Sequence, residues 1–402
     1  DDRFGFSVSL VSDRALIGAY GDDDLGSQSG SAYVFSRNGT MWNQEAKLKA
    51  TDGASSDQFG HSISLGSDRA LVGSWLDDTA AGVDAGSAYV FSRTGTAWSQ
   101  EAHITPLDGA ASDNFGWSVS LAADRALVGA HFDDDLGLNS GSAYVFARSG
   151  TVWTQEAKLK AADGAMQDLF GYSVSHTSDR ALVGAVLDDN STGSAYVFAR
   201  NGTAWSQETK LTALDGAGGD RFGYSVALLS ERALVGAEGD DDLGPSSGSA
   251  YSFVRTGTAW SQEAKLTSGV SGTFVFFGRS VSLAPERALV GALGDDSPVK
   301  DSGSAYVFTL LPLPTTYCTG KSNACGTGAI TRSGFPSASA SSGFVVTGGP
   351  AMGGRVGVLL YNEGAAPSGP YLLFGGSGGG RLCMRIAGMK NARGAASGGT
   401  PD

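Results

Sequence analysis

The chain has 402 residues, of which 60 are glycine and only 17% are charged. This composition is typical of many short strands joined by tight turns and disfavours a helical protein. No apolar stretch approaches the roughly 18 residues that a membrane-spanning helix needs, so no membrane span is predicted. The net charge of −13 argues against nucleic acid as a partner and favours cations or basic surfaces.

A Phe-Gly pair recurs along most of the chain. It stands at positions 4, 59, 115, 170, 222 and 277, and successive copies lie 52 to 56 residues apart. A fixed period of this size indicates an array of one supersecondary unit. A chain of 402 residues would ordinarily suggest two or three domains. Because of the repeat, we assign residues 1–312 to a single repeat domain. The sequence opens inside a repeat unit, so we expect a processed or partial chain.

Four strands, called A to D below, are predicted in each unit, as the third unit shows. Residues 115–121 alternate large apolar and small side chains, which is the period-two pattern of a strand. Residues 126–130 are apolar on both sides, and residues 142–146 carry Tyr-Val-Phe. Residues 153–160 alternate apolar and polar side chains, so one side faces water. The short links between these strands predict an antiparallel meander.

Repeated four-stranded meanders are typical of β-propeller blades. The sequence thus predicts an all-β fold with six visible repeats and six or seven four-stranded antiparallel blades. A linear solenoid is the alternative, but it would need polar caps that neither end of the array shows. The sixth unit stops at Phe308 without a strand D. The missing strand could come from residues before Asp1, from the C-terminal tail, or from a neighbouring subunit by strand addition.

The Phe-Gly that opens strand A and the Gly-Ala that closes strand B together resemble the FG-GAP repeat of integrin α-subunit propellers. Copies of the second pair include Gly18-Ala19, Gly129-Ala130 and Gly236-Ala237. The recurring phrases Gly-Ser-Ala-Tyr-Val-Phe and Trp-x-Gln-Glu-Ala-Lys-Leu resemble the bacterial branch of that family, which is found in secreted and surface proteins. The resemblance implies a β-propeller and an extracellular or cell-surface location.

One departure from the family concerns calcium. Integrin-like repeats often carry a calcium loop of the form Asp-x-Asp-x-Asp-Gly between strands A and B. Here that link is a short turn such as Asp68-Arg69 or Asp124-Arg125. It is too short to supply the roughly six to eight oxygens that calcium takes. The family's metal ligands are therefore not carried over to this chain.

The acidic residues concentrate in other links. In a meander, the B–C and D–A links emerge on one rim, and here they carry most of the carboxylates, so a strongly acidic rim is predicted. Asp-x-Asp-x-Gly, which is half of a calcium loop, recurs in three B–C links. The candidate calcium ligands are Asp22, Asp24, Asp133, Asp135, Asp240 and Asp242. The alternative is a solvated acidic surface in which Asp and Gly serve the turns.

Two residues at the start of acidic loops are candidate binding residues. Trp75 follows strand B at the mouth of one such loop, and His131 starts another. An exposed indole there could stack on a ligand. No two histidines have the spacing of a metal pair, and the Gly-x-Ser-x-Gly matches lie in Ser/Gly-rich loops, outside a strand-to-helix turn. No catalytic site is predicted, and the chain is not expected to be an enzyme.

The composition shifts beyond the repeats. Residues 313–342 are predicted as a Ser/Gly-rich linker, and residues 343–402 as a small β-sandwich-like region with a flexible tail. The chain's three cysteines all lie here. A bridge between Cys318 and Cys325 is the candidate disulfide, and Cys325 with Cys383 is the alternative.

Two functions remain open at the level of sequence. The first is a non-catalytic extracellular binding or adhesion propeller, which engages a protein or glycan and holds calcium on its acidic loop face. The second is a structural subunit of an extracellular fibre or surface layer, which self-associates into a polymer by strand addition or propeller stacking.

Overall fold

The structure is a computed structural model that describes residues 2–296, 302–310, 330–333, 344–348 and 357–359. The chain divides into two compact units, Asp1–Leu313 and Pro314–Asp402. In the first unit, the strands form six antiparallel sheets that follow one another in chain order. This arrangement is a six-bladed β-propeller, which confirms the predicted fold class.

The first three blades have four strands each, paired in sequence order. Those of the first blade are β1 (Ser7–Val11), β2 (Arg14–Ala19), β3 (Ser31–Asn38) and β4 (Met41–Leu48). Those of the second are β5 (Ile63–Leu65), β6 (Arg69–Ser74), β7 (Ser87–Thr94) and β8 (Ala97–Ile104). Those of the third are β9 (Ser118–Ala122), β10 (Arg125–Ala130), β11 (Ser142–Ser149) and β12 (Val152–Leu159).

The next two blades repeat this meander. The fourth consists of β13 (Phe170–His176), β14 (Arg180–Ala185), β15 (Ser194–Asn201) and β16 (Ala204–Leu211). The fifth consists of β17 (Phe222–Leu229), β18 (Arg232–Ala237), β19 (Ser249–Thr256) and β20 (Ala259–Leu266). A single helical turn, α1 (Asp188–Ser191), forms the B–C link of the fourth blade.

The sixth blade has three strands among the described residues, namely β21 (Phe277–Ala284), β22 (Arg287–Ala292) and β23 (Ser304–Thr309). The second unit contains a three-stranded antiparallel sheet of β24 (Ile330–Ser333), β25 (Phe344–Gly348) and β26 (Gly357–Leu359). The first of these strands falls inside the stretch predicted as a linker. Most of the predicted β-sandwich-like region at 343–402, and all three cysteines, lie outside the described residues.

The core lies between blades, not within them. The trailing face of the first blade, with Leu16 and Val34, packs on the leading face of the second, with Phe59, Val72 and Tyr89. The same cluster recurs at the later junctions. The Phe of each Phe-Gly pair is therefore core, and from the second blade onward it is at most 1% exposed.

The glycines of the two repeat pairs meet at these junctions. A Cβ on Gly129 would lie 2.0 Å from the carbonyl oxygen of Gly171, which begins the next blade. Gly171 itself has φ +92°, a conformation that glycine adopts freely and other residues rarely do. The hydroxyl of Ser118 donates a 2.7 Å hydrogen bond to the same carbonyl. We call this backbone contact the glycine seam.

An ionic contact joins the outer strands of neighbouring blades. Glu101 of the second blade accepts hydrogen bonds from Arg148 of the third, Nε to Oε1 at 2.6 Å and Nη2 to Oε2 at 3.0 Å. The indole Nε1 of Trp153 donates to the same carboxylate at 2.9 Å. Glu45, Glu156 and Glu208 make the equivalent contacts. The recurring tryptophans of the second to fifth blades therefore stabilise the blade junctions.

The first and last blades each leave one apolar face uncovered. On the leading face of the first, Val8 is 71% exposed and Leu10 65%, whereas Leu65 at the equivalent place is 4% exposed. On the trailing face of the last, Leu289 is 45% exposed and Val307 61%. Such contiguous apolar surface is unusual on an isolated domain and marks an interaction surface.

Replacing Gly129 by Ala should destabilise the propeller, because the new methyl group would strike a backbone carbonyl held in the next blade. We expect a loss of about 3 kcal/mol in the free energy of unfolding, the upper range for overpacked interiors. Chemical denaturation measures it.

The matched control is Gly218→Ala. Gly218 is exposed, and a Cβ there would meet only the carbonyl oxygen of Asn190 at 3.4 Å. This variant should stay within about 0.5 kcal/mol of wild type. Equal losses in the two variants would show that the glycine seam does not limit stability.

Candidate functional site

The predicted calcium ligands lie in pairs, and each pair contacts a lysine. In the third blade, the Nζ of Lys158 lies 2.8 Å from Asp133 Oδ2 and 2.7 Å from Asp135 Oδ2. Asp133 also accepts hydrogen bonds from the hydroxyls of Tyr144 at 2.8 Å and Ser142 at 3.0 Å. The ammonium group therefore occupies the place between the two carboxylates.

Lys47 and Lys265 make the same contacts in the first and fifth blades. Lys47 lies 2.8 Å from Asp22 and 2.6 Å from Asp24, and Lys265 lies 2.8 Å from Asp240 and 2.5 Å from Asp242. In the fourth blade, Lys210 likewise binds the acids of its B–C link. The acidic rim is thus less negative than the links alone predict, because strand D supplies a cation to it.

Hydrogen bonding keeps these groups ionised. Lys158 holds the pKa of Asp135 below its usual value. Burial would raise the pKa of Asp22, but hydrogen bonds from Lys47 and Tyr33 outweigh it and lower the pKa. Burial would lower the pKa of Lys47, but its hydrogen bonds to Asp22 and Asp24 outweigh burial and raise the pKa. A divalent ion would therefore have to displace a firmly charged ammonium group.

Calcium at the Asp pairs stays a prediction. Among the residues that the structure describes, no three His, Cys, Asp or Glu side chains are grouped so as to hold a metal ion. In the third blade Lys158 also lies 2.9 Å from Asp108, so one lysine contacts three carboxylates, whereas calcium takes about six to eight oxygens. The pairs could bind calcium only with further oxygens from backbone or water.

A belt of aromatic side chains follows the inner strands at the same rim. The residue after each Phe-Gly pair begins strand A, and the residue after each Gly-Ala pair ends strand B, so both lie at one end of the blade. The side chains that contribute, called the aromatic belt, are Phe6, Tyr20, His61, Trp75, Trp117, His131, Tyr172 and Tyr224. Strand A is innermost, because the A strands of successive blades contact one another.

Trp117 is the centre of this belt. Its ring centroid lies 4.6 Å from His61, 5.0 Å from Trp75, 4.3 Å from His131 and 5.5 Å from Tyr172. Trp75 meets it edge to face at 85° and donates its Nε1–H to Gln58. Aromatic pairs prefer such tilted and edge-to-face geometries. Both indoles are partly exposed, so the belt offers rings to solvent as well as to one another.

The two histidines of the belt are neutral. Burial lowers the pKa of His61 to about 4 and that of His131 to about 3. The Nδ1 of each has no hydrogen-bond partner among the described residues. A neutral imidazole carries one donor and one acceptor, and here both Nδ1 atoms are buried beneath the belt.

The two predicted binding residues, Trp75 and His131, both pack on Trp117. The sequence predicts Trp117 only as part of the alternating pattern of strand A and not as a binding residue. The signal was present, because His61, Trp117 and Tyr172 all follow a Phe-Gly pair directly. Equivalent positions of a propeller's inner strands converge around the axis, so side chains 50-odd residues apart in sequence meet.

The described part of the chain holds no helix with the length and apolarity needed to span a bilayer. The architecture and the repeat contacts define an FG-GAP-type β-propeller. The FG-GAP repeat profile matches residues 1–35, 42–91, 98–146, 153–198, 205–253 and 260–308. The chain belongs to the FG-GAP repeat family, as the resemblance in its sequence implied.

Other comparisons add little about function. No curated protein matches the chain. Among solved structures, it is similar to the periplasmic gluconolactonase of Pseudomonas aeruginosa, with 12% identity and a TM-score of 0.47, over 76% of this chain and 85% of that one. A likeness at this level says nothing about activity.

Replacing Lys158 by Met tests calcium at the third blade. Wild type should show no rise in melting temperature with calcium up to the millimolar range, because the ammonium group competes for the carboxylates. Lys158→Met removes the cation that both carboxylates share, so calcium should raise its melting temperature. Thermal melts with and without chelator make the measurement.

Lys160→Met is the control, since Lys160 contacts only the outer Asp135, at 3.2 Å. It should respond to calcium as wild type does. If calcium leaves Lys158→Met unmoved as well, the Asp pairs are not calcium sites. If it stabilises wild type equally, the lysine does not compete.

Proposed function

We propose that this chain is a non-catalytic binding module that works outside the cell or at its surface. Its partner, a protein or a glycan, docks over the aromatic belt within the ring of acidic loops. The observation that carries the proposal is the cluster of Trp75, Trp117 and His131. Partly exposed indoles at the inner rim of a rigid scaffold supply large contact area at low cost in side-chain entropy.

The chemistry of the belt supports binding over catalysis. Its members are aromatic rings and two neutral imidazoles, so they present mainly flat apolar area. The C–H face of a sugar, or the side chain of a peptide, fits such a surface. The carboxylates around it can accept hydrogen bonds from hydroxyl or amide groups. The rim residues are held by glycine seams and lysine networks, which preorganise the surface before binding.

Family membership supports the location. The resemblance to secreted and surface proteins implies an extracellular setting, and the low content of lysine and arginine relative to acid fits a surface that repels nucleic acid. Localisation of a tagged full-length protein by fractionation tests this part, and recovery in the cytoplasm would contradict it.

Trp75→Ala and Trp117→Ala test the binding role of the belt. On an array of glycans and extracellular-matrix proteins, each variant should lose at least about tenfold in affinity for the partners that wild type retains, which is about 1.4 kcal/mol. Circular dichroism melts establish that each variant is folded.

Trp42→Ala is the matched control, because Trp42 lies on the outer strand of the first blade and is 43% exposed. It should bind as wild type does. Equal losses in all three variants would indicate a general surface effect, and unchanged binding in the first two would contradict the assignment of the belt.

A second function, assembly into a fibre or layer, is favoured by the uncovered faces of the first and last blades. The trailing face of one copy has the same residue types that cover a leading face inside the chain, so a second copy could dock head to tail. Light scattering over a range of concentrations tests this. Growth of mass that Val8→Glu and Leu289→Glu each abolish would support it, and a constant monomer mass would contradict it.

A further inference from the structure

The repeat pattern breaks at the junction of the fifth and sixth blades. Four D–A links carry an aspartate that caps their own turn, and Asp220 does so by accepting the N–H of Ala217 at 2.7 Å. In the last link Val275 replaces it, with Phe274 before it and Phe276 after it. Residues that all repeats share serve the fold. A position where one repeat departs from the pattern is therefore where a specific function is expected.

Both phenylalanines hold a backbone conformation that bulky residues rarely adopt. Their φ angles are +59° for Phe274 and +52° for Phe276. The N–H groups of both residues donate to the preceding B–C loop, to Pro245 at 2.7 Å and to Ser246 at 3.0 Å. Phe274 remains 59% exposed, and its ring lies 6.0 Å from that of Phe276. The same two positions have positive φ in earlier D–A links, at Ser56 and Gln58 for example, so the backbone conformation belongs to the repeat, and the two aromatic side chains are what differs here.

The charges at this junction also differ from the rest of the rim. Glu238 stands where other blades have Tyr20, Trp75 or His131, and it is 1% exposed. It accepts hydrogen bonds from Nη1 of Arg221 at 3.2 Å and from Nη1 of Arg279 at 2.6 Å. Two guanidinium groups face one carboxylate, so these three side chains together carry a net positive charge within an acidic rim.

A cavity of about 360 Å³ lies at this place. Arg221, Glu238, Phe274 and Phe276 line it, together with Ser191 and Ser246. The side chain of Arg221 is 50% exposed, and Glu238 engages one of its several N–H donors in the contact described. The volume falls within the range of small-molecule sites and suits a single ring-sized ligand.

We propose that this cavity binds the carboxylate-bearing ring of a uronic acid, as one unit of an acidic polysaccharide. The carboxylate pairs with the guanidinium of Arg221, which can bind it through two N–H donors. The apolar face of the sugar ring packs on Phe274 and Phe276. The hydroxyl groups of Ser191 and Ser246 bond to sugar hydroxyls. The site has its own residues, so it does not rest on the proposed role of the aromatic belt.

Titration calorimetry of the full chain with glucuronate, glucose and acetate tests this site. Glucuronate should bind at least about tenfold more tightly than either glucose or acetate, because only it engages both the arginine and the phenylalanine rings. Equal binding of glucuronate and glucose would overturn the role of the carboxylate. Equal binding of glucuronate and acetate would overturn the role of the ring.

Two variants address the two halves of the site. Phe274→Ser introduces the residue type found at the equivalent loop positions, Ser56 and Ser112. Both serines have a positive φ, as Phe274 does, so the loop backbone should tolerate the substitution. Arg221→Gln likewise copies Gln58. Each should weaken glucuronate binding at least about tenfold. Unchanged binding in Phe274→Ser, which removes only an exposed side chain, would overturn the proposal even if Arg221→Gln failed to fold.

Arg37→Gln is the control. Arg37 lies at a C–D turn, where it pairs with Asp13 at 2.8 Å, and its loss removes a positive charge from the opposite rim. This variant should bind glucuronate as wild type does. Weakened binding in Arg37→Gln would show that net charge alone attracts the ligand, which would overturn the assignment of the cavity.

Discussion

The propeller depends on backbone contact between neighbouring blades. At five junctions a strand-B glycine meets the carbonyl oxygen of the next Phe-Gly pair, at a separation that leaves no room for a side chain. This contact sets how closely the inner strands approach. The rest of each junction consists of leucine, valine, phenylalanine and tyrosine side chains and, between the outer strands, of contacts such as the pairing of Glu101 with Arg148 and Trp153.

The fold could be predicted from the sequence because the same residues recur at a fixed period, and each repeat supports the assignment of the others. Side-chain contacts between strands or between blades could not be predicted in this way. Lys158 and Lys160 both read as the wet side of strand D, yet only Lys158 reaches Asp133, and the difference depends on the position of the B–C loop. Trp75 and His131 were recognisable as loop-mouth residues, but their common neighbour Trp117 was not, because convergence around an axis is a property of the whole ring.

The rim therefore has two kinds of polar residue with different consequences. Many carboxylates pair with lysines and tyrosines, as Asp22, Asp133 and Asp240 do, and they stabilise the loops. Glu238 instead holds two arginines, at the one junction where the turn-capping aspartate is replaced. A buried carboxylate that requires two cations is costly to keep, since loss of either partner leaves charge uncompensated. Such an arrangement is easier to understand as part of a recognition site than as a device for stability.

The likeness of the junctions has a consequence for how such a protein can change in evolution. Because each blade offers its successor the same glycine and leucine contacts, and four of them the same glutamate contact, duplication of one repeat would create no new type of interface. The number of blades is then limited by the geometry of closing a ring and hardly at all by the identity of the contacting residues. Sequence drift is free to accumulate at the inner rim, where a substitution alters what the surface recognises and leaves the junctions intact.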